Sequence, residues 1–239
     1  MCGRATLASM SGLMYECSRV SLEFIFFGLF RSHTHTPYSM RIAIVGAGVA
    51  GLQTADILSA DGHKCLVFER REGPGGVWRE NYDGYALQVP AALYELEGVA
   101  HSPAGAFPAG ADVQRYIEAF VAARCLTARC SLYYGASVTR LEAREDGTWT
   151  VHVADGATHD VDYCVVATGM YDLPYLPDRL RACGAYHSSE FVDASVARDQ
   201  RVVVVGGGKS AIDCAVAASR CARSVVLVSR TLHLSLIHI

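Results

Sequence analysis

A glycine triad, Gly46-Ala47-Gly48-Val49-Ala50-Gly51, stands between the apolar run Arg41–Val45 and a helical stretch over about 49–60. At a strand-to-helix turn that receives a dinucleotide, each glycine has a task. The first permits the tight turn, the second lets backbone approach a pyrophosphate, and the third allows close helix packing. The N–H groups at the helix start, among them those of Val49 and Ala50, attract the anion. The next strand, 64–69, ends on Glu69, 23 positions after Gly46. A carboxylate there accepts both hydroxyl hydrogens of an adenosine ribose. Its charge repels a 2′-phosphate, so the expected ligand carries an unmodified ribose, as FAD or NAD does. Arg70 follows directly and is placed with this site.

A second cradle, Gly206-Gly207-Gly208-Lys209-Ser210-Ala211, lies between an apolar strand at 201–205 and a helix at 209–219. Alanine in the last glycine position is an accepted variant. The same count from Gly206 reaches Ser229, followed by Arg230. A hydroxyl and a guanidinium at the end of the strand over 224–229 suit a 2′-phosphate, because the arginine fork matches phosphate oxygens. NADPH is the expected ligand; the alternative is an exposed arginine that only starts a loop. Lys209 either adds charge near the pyrophosphate or is a solvated helix-start residue. An FAD-type and an NADP-type cradle in one chain imply that a nicotinamide hands hydride to a flavin.

Between the cradles, Asp112–Cys125 carries a helical apolar stripe at Val113, Tyr116, Ile117, Phe120 and Val121. The period then changes to two. Ser137–Glu145 and Thr148–Ala154 read as a hairpin turning at Asp146-Gly147, and Val161–Ala167 as a further strand. The expected class is α/β, with two Rossmann-like dinucleotide-binding domains and a small β-meander, truncated at the C-terminus. Residues 40–172 would form the FAD domain and 173–233 an incomplete NADPH domain.

The first 39 residues form a non-core extension with one apolar burst, Phe24–Phe30, and no surrounding periodicity. Glu23 before the burst and Arg31 after it argue against a secretory signal. Upstream translation ahead of a true start at Met40 is the preferred account, with an organelle transit peptide as the alternative. Leu234–Ile239 look like the in-frame translation of a transposase end used as an adaptor in DNA library preparation, and are expected to be an artefact.

With 21 basic and 24 acidic residues, the net charge of −3 gives no broad basic surface for nucleic acid. No stretch reaches the roughly 20 apolar residues of a spanning helix. Nine cysteines, odd in number and irregularly spaced, suit a reducing compartment, and a cytoplasmic location is expected. No metal-ligand cluster is apparent.

From residue 40 to 233 the chain resembles the flavin-containing monooxygenase family. Gly75-Gly76-Val77-Trp78 after Glu69-Arg70 resembles its second flavin-binding motif. Val165-Val166-Ala167-Thr168-Gly169, followed by Leu173-Pro174-Tyr175-Leu176-Pro177, is similar to the passage from flavin domain to NADPH domain. Asn81–Pro90 and Ala91–Leu96 resemble a microbial and fungal branch. The resemblance adds Gly76, Val77, Trp78, Gln88, Val138, Ala167, Thr168 and Gly169 to the FAD side. It implies hydride transfer from NADPH to FAD, addition of O2 to the reduced flavin, and oxygenation of a soft nitrogen or sulfur in a small molecule.

Two departures are visible. In Gly184-Ala185-Tyr186-His187-Ser188-Ser189-Glu190-Phe191 the family's F-x-G-x-x-x-H-x-x-x-F/Y motif lacks its first Phe, and the Gly-to-His gap is one residue short. By resemblance His187 is a linker or cofactor-side residue; by itself it reads as a satisfied histidine. The family's oxygen-adduct asparagine is also missing, since Val89 and Pro90 occupy its stretch and Gln88 is only nearby. A flavin oxidoreductase without oxygen transfer, or an inactive truncated fragment, are the alternatives. A disulfide reductase is disfavoured, because none of Cys65, Cys125, Cys130, Cys164, Cys183, Cys214 or Cys221 forms C-x-x-C.

Overall fold

A run such as Ile42-Ala43-Ile44, with no polar face, must be covered on both sides, and Arg41–Val45 (β1) lies inside a parallel sheet. The computed structural model describes residues 38–101, 103, 105–171 and 173–230. Its main sheet joins β1 to β2 (Lys64–Phe68), β3 (Ser131–Tyr133) and β7 (Tyr163–Val166) in the order β3-β2-β1-β7, all parallel. The first crossover is α1 (Val49–Ala60). Further chain is supplied by α2 (Gly110–Ala123) and the single turn α3 (Leu126–Arg129).

The pleat sends alternate side chains to opposite faces. Ile42, Ile44 and Val67 meet Leu52 and Ala55 of α1, Val113, Ile117 and Phe120 of α2, and Leu126 of α3. Ala43, Leu66 and Phe68 point the other way, against Val151, Val153 and Val161. Those three belong to an antiparallel meander of β4 (Val138–Ala143), β5 (Trp149–Val153) and β6 (Thr158–Val161). The result is helix layer, sheet, meander. All five residues of the anticipated stripe in 112–125 are buried.

Asp56 fastens the helix layer from within. It is 4% exposed, accepts from Arg124 Nε at 2.8 Å and from Arg129 Nη1 at 2.7 Å, and its carbonyl accepts from Arg129 Nη2 at 2.6 Å.

The expected strand Val161–Ala167 divides in two. Val161 ends β6 in the meander and Tyr163 begins β7 in the main sheet. At the junction Asp162 N–H donates to the Arg41 carbonyl at 2.8 Å, and its carboxylate accepts from Arg41 N–H at 2.7 Å. One residue transfers the chain between sheets, and an apolar run does not reveal it.

The second βαβ unit is β8 (Arg201–Val205), α5 (Lys209–Ser219) and β9 (Ser224–Val228), its strands parallel and paired from Arg201–Ser224 to Val205–Val228. Between the two units lies a short helix, α4 (Asp178–Ala182). The inner face of α5, at Cys214, Ala217 and Ala218, packs with Tyr82, Phe191 and Ala197. Thus the loop after the second glycine motif forms part of the floor of this unit. The N-terminal extension through residue 37, with its burst Phe24–Phe30, and the segment Leu234–Ile239 lie outside the described residues. No described helix is long and apolar enough to cross a membrane. Among the described residues no group of three or more His, Cys, Asp or Glu could hold a metal.

Candidate functional site

The first cradle forms where β1 meets α1. Gly46 has φ +108°, and a Cβ there would lie 2.4 Å from the Ala167 carbonyl oxygen. At Gly51 a Cβ would lie 1.9 Å from the Gly46 carbonyl oxygen. Those two glycines are required by the fold itself. Gly48 is different: it has ordinary extended angles as the residue capping α1, and a Cβ would meet nothing closer than 3.7 Å. A methyl group would fit there in ordinary contact with Gly76, so packing does not demand glycine, and no side chain caps the helix N-terminus. The donors there point outward, as an anion site requires.

Glu69 lies at the end of β2, 6% exposed. Its Oε2 accepts from Ala47 N–H at 2.8 Å and its Oε1 from Arg71 N–H at 2.9 Å. These bonds fix the carboxylate and use one lone pair on each oxygen, leaving acceptor capacity for a ribose. The strand end is held from both neighbours: Gly46 N–H donates to the Phe68 carbonyl at 2.7 Å, and Glu69 N–H to the Tyr133 carbonyl at 2.8 Å.

The second glycine motif folds onto the first. Gly75 N–H donates to the Ala47 carbonyl at 2.9 Å, and a Cβ on Gly76, at φ +58°, would lie 3.0 Å from Gly48 Cα. Ala167 N–H donates to the Val45 carbonyl at 2.8 Å, which brings Ala167 and Thr168 beside Gly46. Gly46, Gly48, Gly51, Glu69, Gly76, Ala167 and Thr168 therefore converge. Val49 and Ala50 are the first residues of α1, and Gly169, at φ +79°, follows Thr168 on the exposed side. Exposed Arg70 continues the chain from Glu69. Val138 opens β4, two residues after Ala136 donates its N–H to the Glu69 carbonyl. Gln88 is exposed beyond Leu87, whose N–H donates to the Pro108 carbonyl at 2.9 Å.

Exposed Val77 and half-buried Trp78 belong to the 3-10 turn Gly76–Trp78. Trp78 Nε1–H donates to the Tyr94 hydroxyl, and its ring lies 6.1 Å from Tyr85 and 5.5 Å from Tyr94. Two bracing residues escaped the sequence reading. Arg71 Nη1 donates to the Gly76 carbonyl at 2.6 Å, and Gln114 Nε2 donates to the Pro74 carbonyl at 2.8 Å. Position alone hinted at Arg71, two residues past Glu69; nothing local marked Gln114, which arrives from α2.

The second cradle repeats the geometry. Gly206 has φ +149° and donates its N–H to the Val228 carbonyl at 2.8 Å, while a Cβ on Gly208 would meet nothing within 4 Å. Gly208 caps α5 without a side-chain hydrogen bond. Ala211 lies against Gly206, where an added Cβ would come within 3.0 Å of its methyl group. Ser229 and Arg230 are exposed at the end of β9. Lys209, the first residue of α5, has its Nζ ion-paired with Asp213 one turn on. Asp213 also accepts from the Tyr82 hydroxyl at 3.0 Å. Burial, with the Asp213 charge behind it, pushes the Tyr82 pKa up to about 12. A loop from the first cradle is thus bonded to the helix of the second.

His187 is a local cap. Its Nδ1 accepts from Ser189 N–H at 3.2 Å, and its own N–H donates to Glu190 Oε1 at 2.9 Å. Phe191, the aromatic that ends the same motif, is buried under α5.

Residues 40–235 match the pyridine nucleotide-disulphide oxidoreductase family. The chain is 32% identical over 201 residues to the indole-3-pyruvate monooxygenase YUCCA1 of Oryza sativa subsp. japonica, covering 80% of this chain and 48% of that protein. It is 26% identical over 198 residues to the thiol-specific monooxygenase of Saccharomyces cerevisiae, covering 73% and 46%. The chain spans about half the length of these curated relatives. A crystal structure of OTEMO in complex with FAD and NADP shares the fold, with a TM-score of 0.69 and 21% identity over 80% of this chain and 39% of that one.

Proposed function

The chain belongs to the pyridine nucleotide-disulphide oxidoreductase family, and from that premise we propose that it carries the FAD and NADPH cradles of a flavin-dependent monooxygenase. Its substrate would be a small molecule presenting a soft nitrogen or sulfur to be oxygenated with O2, in the cytoplasm. Residues 40–172 would hold FAD and 173–233 NADPH. The observation that carries the reading is the pair of glycines at the helix starts, Gly48 and Gly208, neither of which is required by internal packing, with both helix starts uncapped. The monooxygenase names of the relatives support the reaction class, and the thiol-specific yeast enzyme supports sulfur.

The bound flavin would supply two-electron chemistry with nicotinamide and O2. The chain's own residues do the positioning. The α1 start, with Gly48 and Gly76 in backbone contact, receives a pyrophosphate, and Glu69 accepts from the ribose hydroxyls. Arg71 and Gln114 keep the 74–76 loop closed over that site. At the second cradle the α5 start receives the other pyrophosphate, and Ser229 and Arg230 meet the 2′-phosphate. The absent asparagine, with Val89 and Pro90 in its stretch, favours a second outcome: flavin reduction without oxygen transfer.

The test is FAD titration of the apoprotein, followed by NADPH and NADH titration of wild type and Arg230→Ala, and by NADPH oxidation in air with and without an organic sulfide. Stoichiometric FAD, an NADPH preference lost in R230A by about tenfold or more, and sulfoxide formed in step with NADPH consumed support the proposal. Peroxide as the product, with no sulfoxide, assigns the chain to simple flavin reductase chemistry. Failure to bind FAD refutes both.

A further inference from the structure

Although no C-x-x-C occurs, the topology brings together two cysteines 65 residues apart in the chain. The β2–β3 register pairs Leu66 with Ser131, Val67 with Leu132 and Phe68 with Tyr133. One step back sets Cys65 opposite Cys130. Neighbouring strands run about 4.8 Å apart, inside the roughly 4.4–6.8 Å window of Cα separations that a disulfide bridges. Both side chains also face the helix layer: Cys65 is buried in the core beneath α1, Cys130 packs on the same core, and Cys130 Sγ lies 3.8 Å from the Ala55 carbonyl oxygen. Both thiols are free.

We propose that Cys65 and Cys130 are a peroxide-oxidisable pair that closes a disulfide between β2 and β3. The two sulfurs divide the roles. The neighbouring Cys65 thiol foremost, then the Ser59 hydroxyl and the Arg129 charge, favours the thiolate of Cys130 against its partial burial, whereas the Cys130 neighbour and burial hold Cys65 protonated. Cys130 is also the more accessible of the two, being half-buried where Cys65 is 2% exposed. In the first step the Cys130 thiolate attacks hydrogen peroxide, the O–O bond breaks, hydroxide leaves and Cys130 becomes a sulfenic acid. In the second, the Cys65 sulfur attacks that sulfur, its proton leaves with the displaced oxygen as water, and the S–S bond forms. Two thiols lose two electrons and two protons, and one peroxide becomes two waters.

The pair sits at the start of β2, whereas Glu69 follows its other end, so this is a different place from the ribose contact. It is linked to that contact through the same two strands, because Glu69 N–H bonds to the Tyr133 carbonyl that ends β3. Peroxide is what reduced flavin yields with O2 when no substrate accepts oxygen, so the proposed function would supply the oxidant in place. The test adds peroxide from outside, and its outcome does not depend on that reading.

Trypsin separates the two residues cleanly. Cys65 falls in the peptide from Cys65 to Arg70 and Cys130 in the peptide from Cys130 to Arg140, each with one cysteine. The full chain is treated with increasing hydrogen peroxide, blocked with an alkylating agent, digested without reductant and analysed by mass spectrometry. We expect a linked 65–70/130–140 species, with the intact chain lighter by about 2 Da for the two hydrogens lost, restored by dithiothreitol. In Cys65→Ser the link disappears and Cys130 proceeds to sulfinic acid; in Cys130→Ser, Cys65 stays alkylatable at the same peroxide dose. Should Cys130 instead pair with exposed Cys125, or reach sulfinic acid in the wild-type chain without any link to Cys65, the proposal is wrong.

Discussion

Gly48 and Gly51 lie three residues apart in one motif, yet a methyl group on each should fail in opposite ways. At Gly51 the Cβ would sit 1.9 Å from the Gly46 carbonyl oxygen, a backbone atom that cannot swing aside. Relief needs α1 to move away from β1 by more than an ångström. Overpacking of this kind costs about 1–3 kcal/mol or more, which for a chain of this size lowers Tm by roughly 2–4 °C per kcal/mol. At Gly48 the Cβ would meet nothing closer than 3.7 Å and the backbone is already extended. Replacing a glycine N-cap by alanine then costs no more than about 1 kcal/mol. The methyl would, however, occupy the space assigned to the pyrophosphate. Losing that contact costs about 3 kcal/mol if two charge-assisted hydrogen bonds go with it, a fall of about a hundredfold in FAD affinity. The assay pairs the Tm of each apoprotein with an FAD titration. We expect Gly51→Ala to melt several degrees lower, and Gly48→Ala to melt within a few degrees of wild type while binding FAD about a hundredfold more weakly. Wild-type FAD affinity in Gly48→Ala would refute the assignment of that position to the cofactor.

Removing Asp56 leaves Arg124 and Arg129 facing each other in the helix layer without their carboxylate. Asp56→Ala should lose about 1.5–3 kcal/mol in urea unfolding, the scale of charged hydrogen bonds, because the arginines left behind are about a third exposed. His101 is buried against Tyr116 at 4.1 Å with no hydrogen-bond partner on either ring nitrogen. Burial holds its pKa below the ordinary value of 6.5. Below that pH the unfolded chain takes a proton that the folded chain refuses, so stability falls as pH drops from 6.5 toward the depressed folded value. His101→Phe should flatten the urea midpoint across this range, and an unchanged slope would show that His101 is not its source.

The cradles were legible because their chemistry is local. A turn, a helix start and a strand-end acid fall within 24 residues, and each glycine's duty follows from its place in that unit. The stripe of α2 was equally readable, since five apolar residues at helical spacing leave one way to be buried. Three-residue β3 was not, being too short to set a period; only its partner β2 makes Ser131–Tyr133 a strand. Asp162 shows the same limit, because a change of sheet is decided by the bonds to Arg41, 121 residues away. The contacts of Gln114 with Pro74 and of Tyr82 with Asp213 are likewise long-range. Local pattern therefore marked the turns and helix starts proposed to meet the ligands, and tertiary contact showed which residues hold those elements in place.

Lys209 is where that difference matters most. In the sequence it looks like a cation waiting at a helix N-terminus, but Asp213 holds it and Tyr82 holds Asp213. The carboxylate therefore keeps a positive charge turned from the first turn of α5, where the second pyrophosphate is assigned. Asp213→Asn preserves an acceptor for the Tyr82 hydroxyl but removes the charge that attracts Lys209. If the lysine is sequestered, its release should tighten NADPH by about fivefold, the roughly 1 kcal/mol expected of a partly exposed charge at a helix start. The gain should vanish in the double variant Asp213→Asn/Lys209→Met and shrink at high salt. Unchanged or weaker NADPH binding in Asp213→Asn would mean that the ion pair serves only to join the flavin-side loop to α5, with Lys209 having no latent part in the cradle.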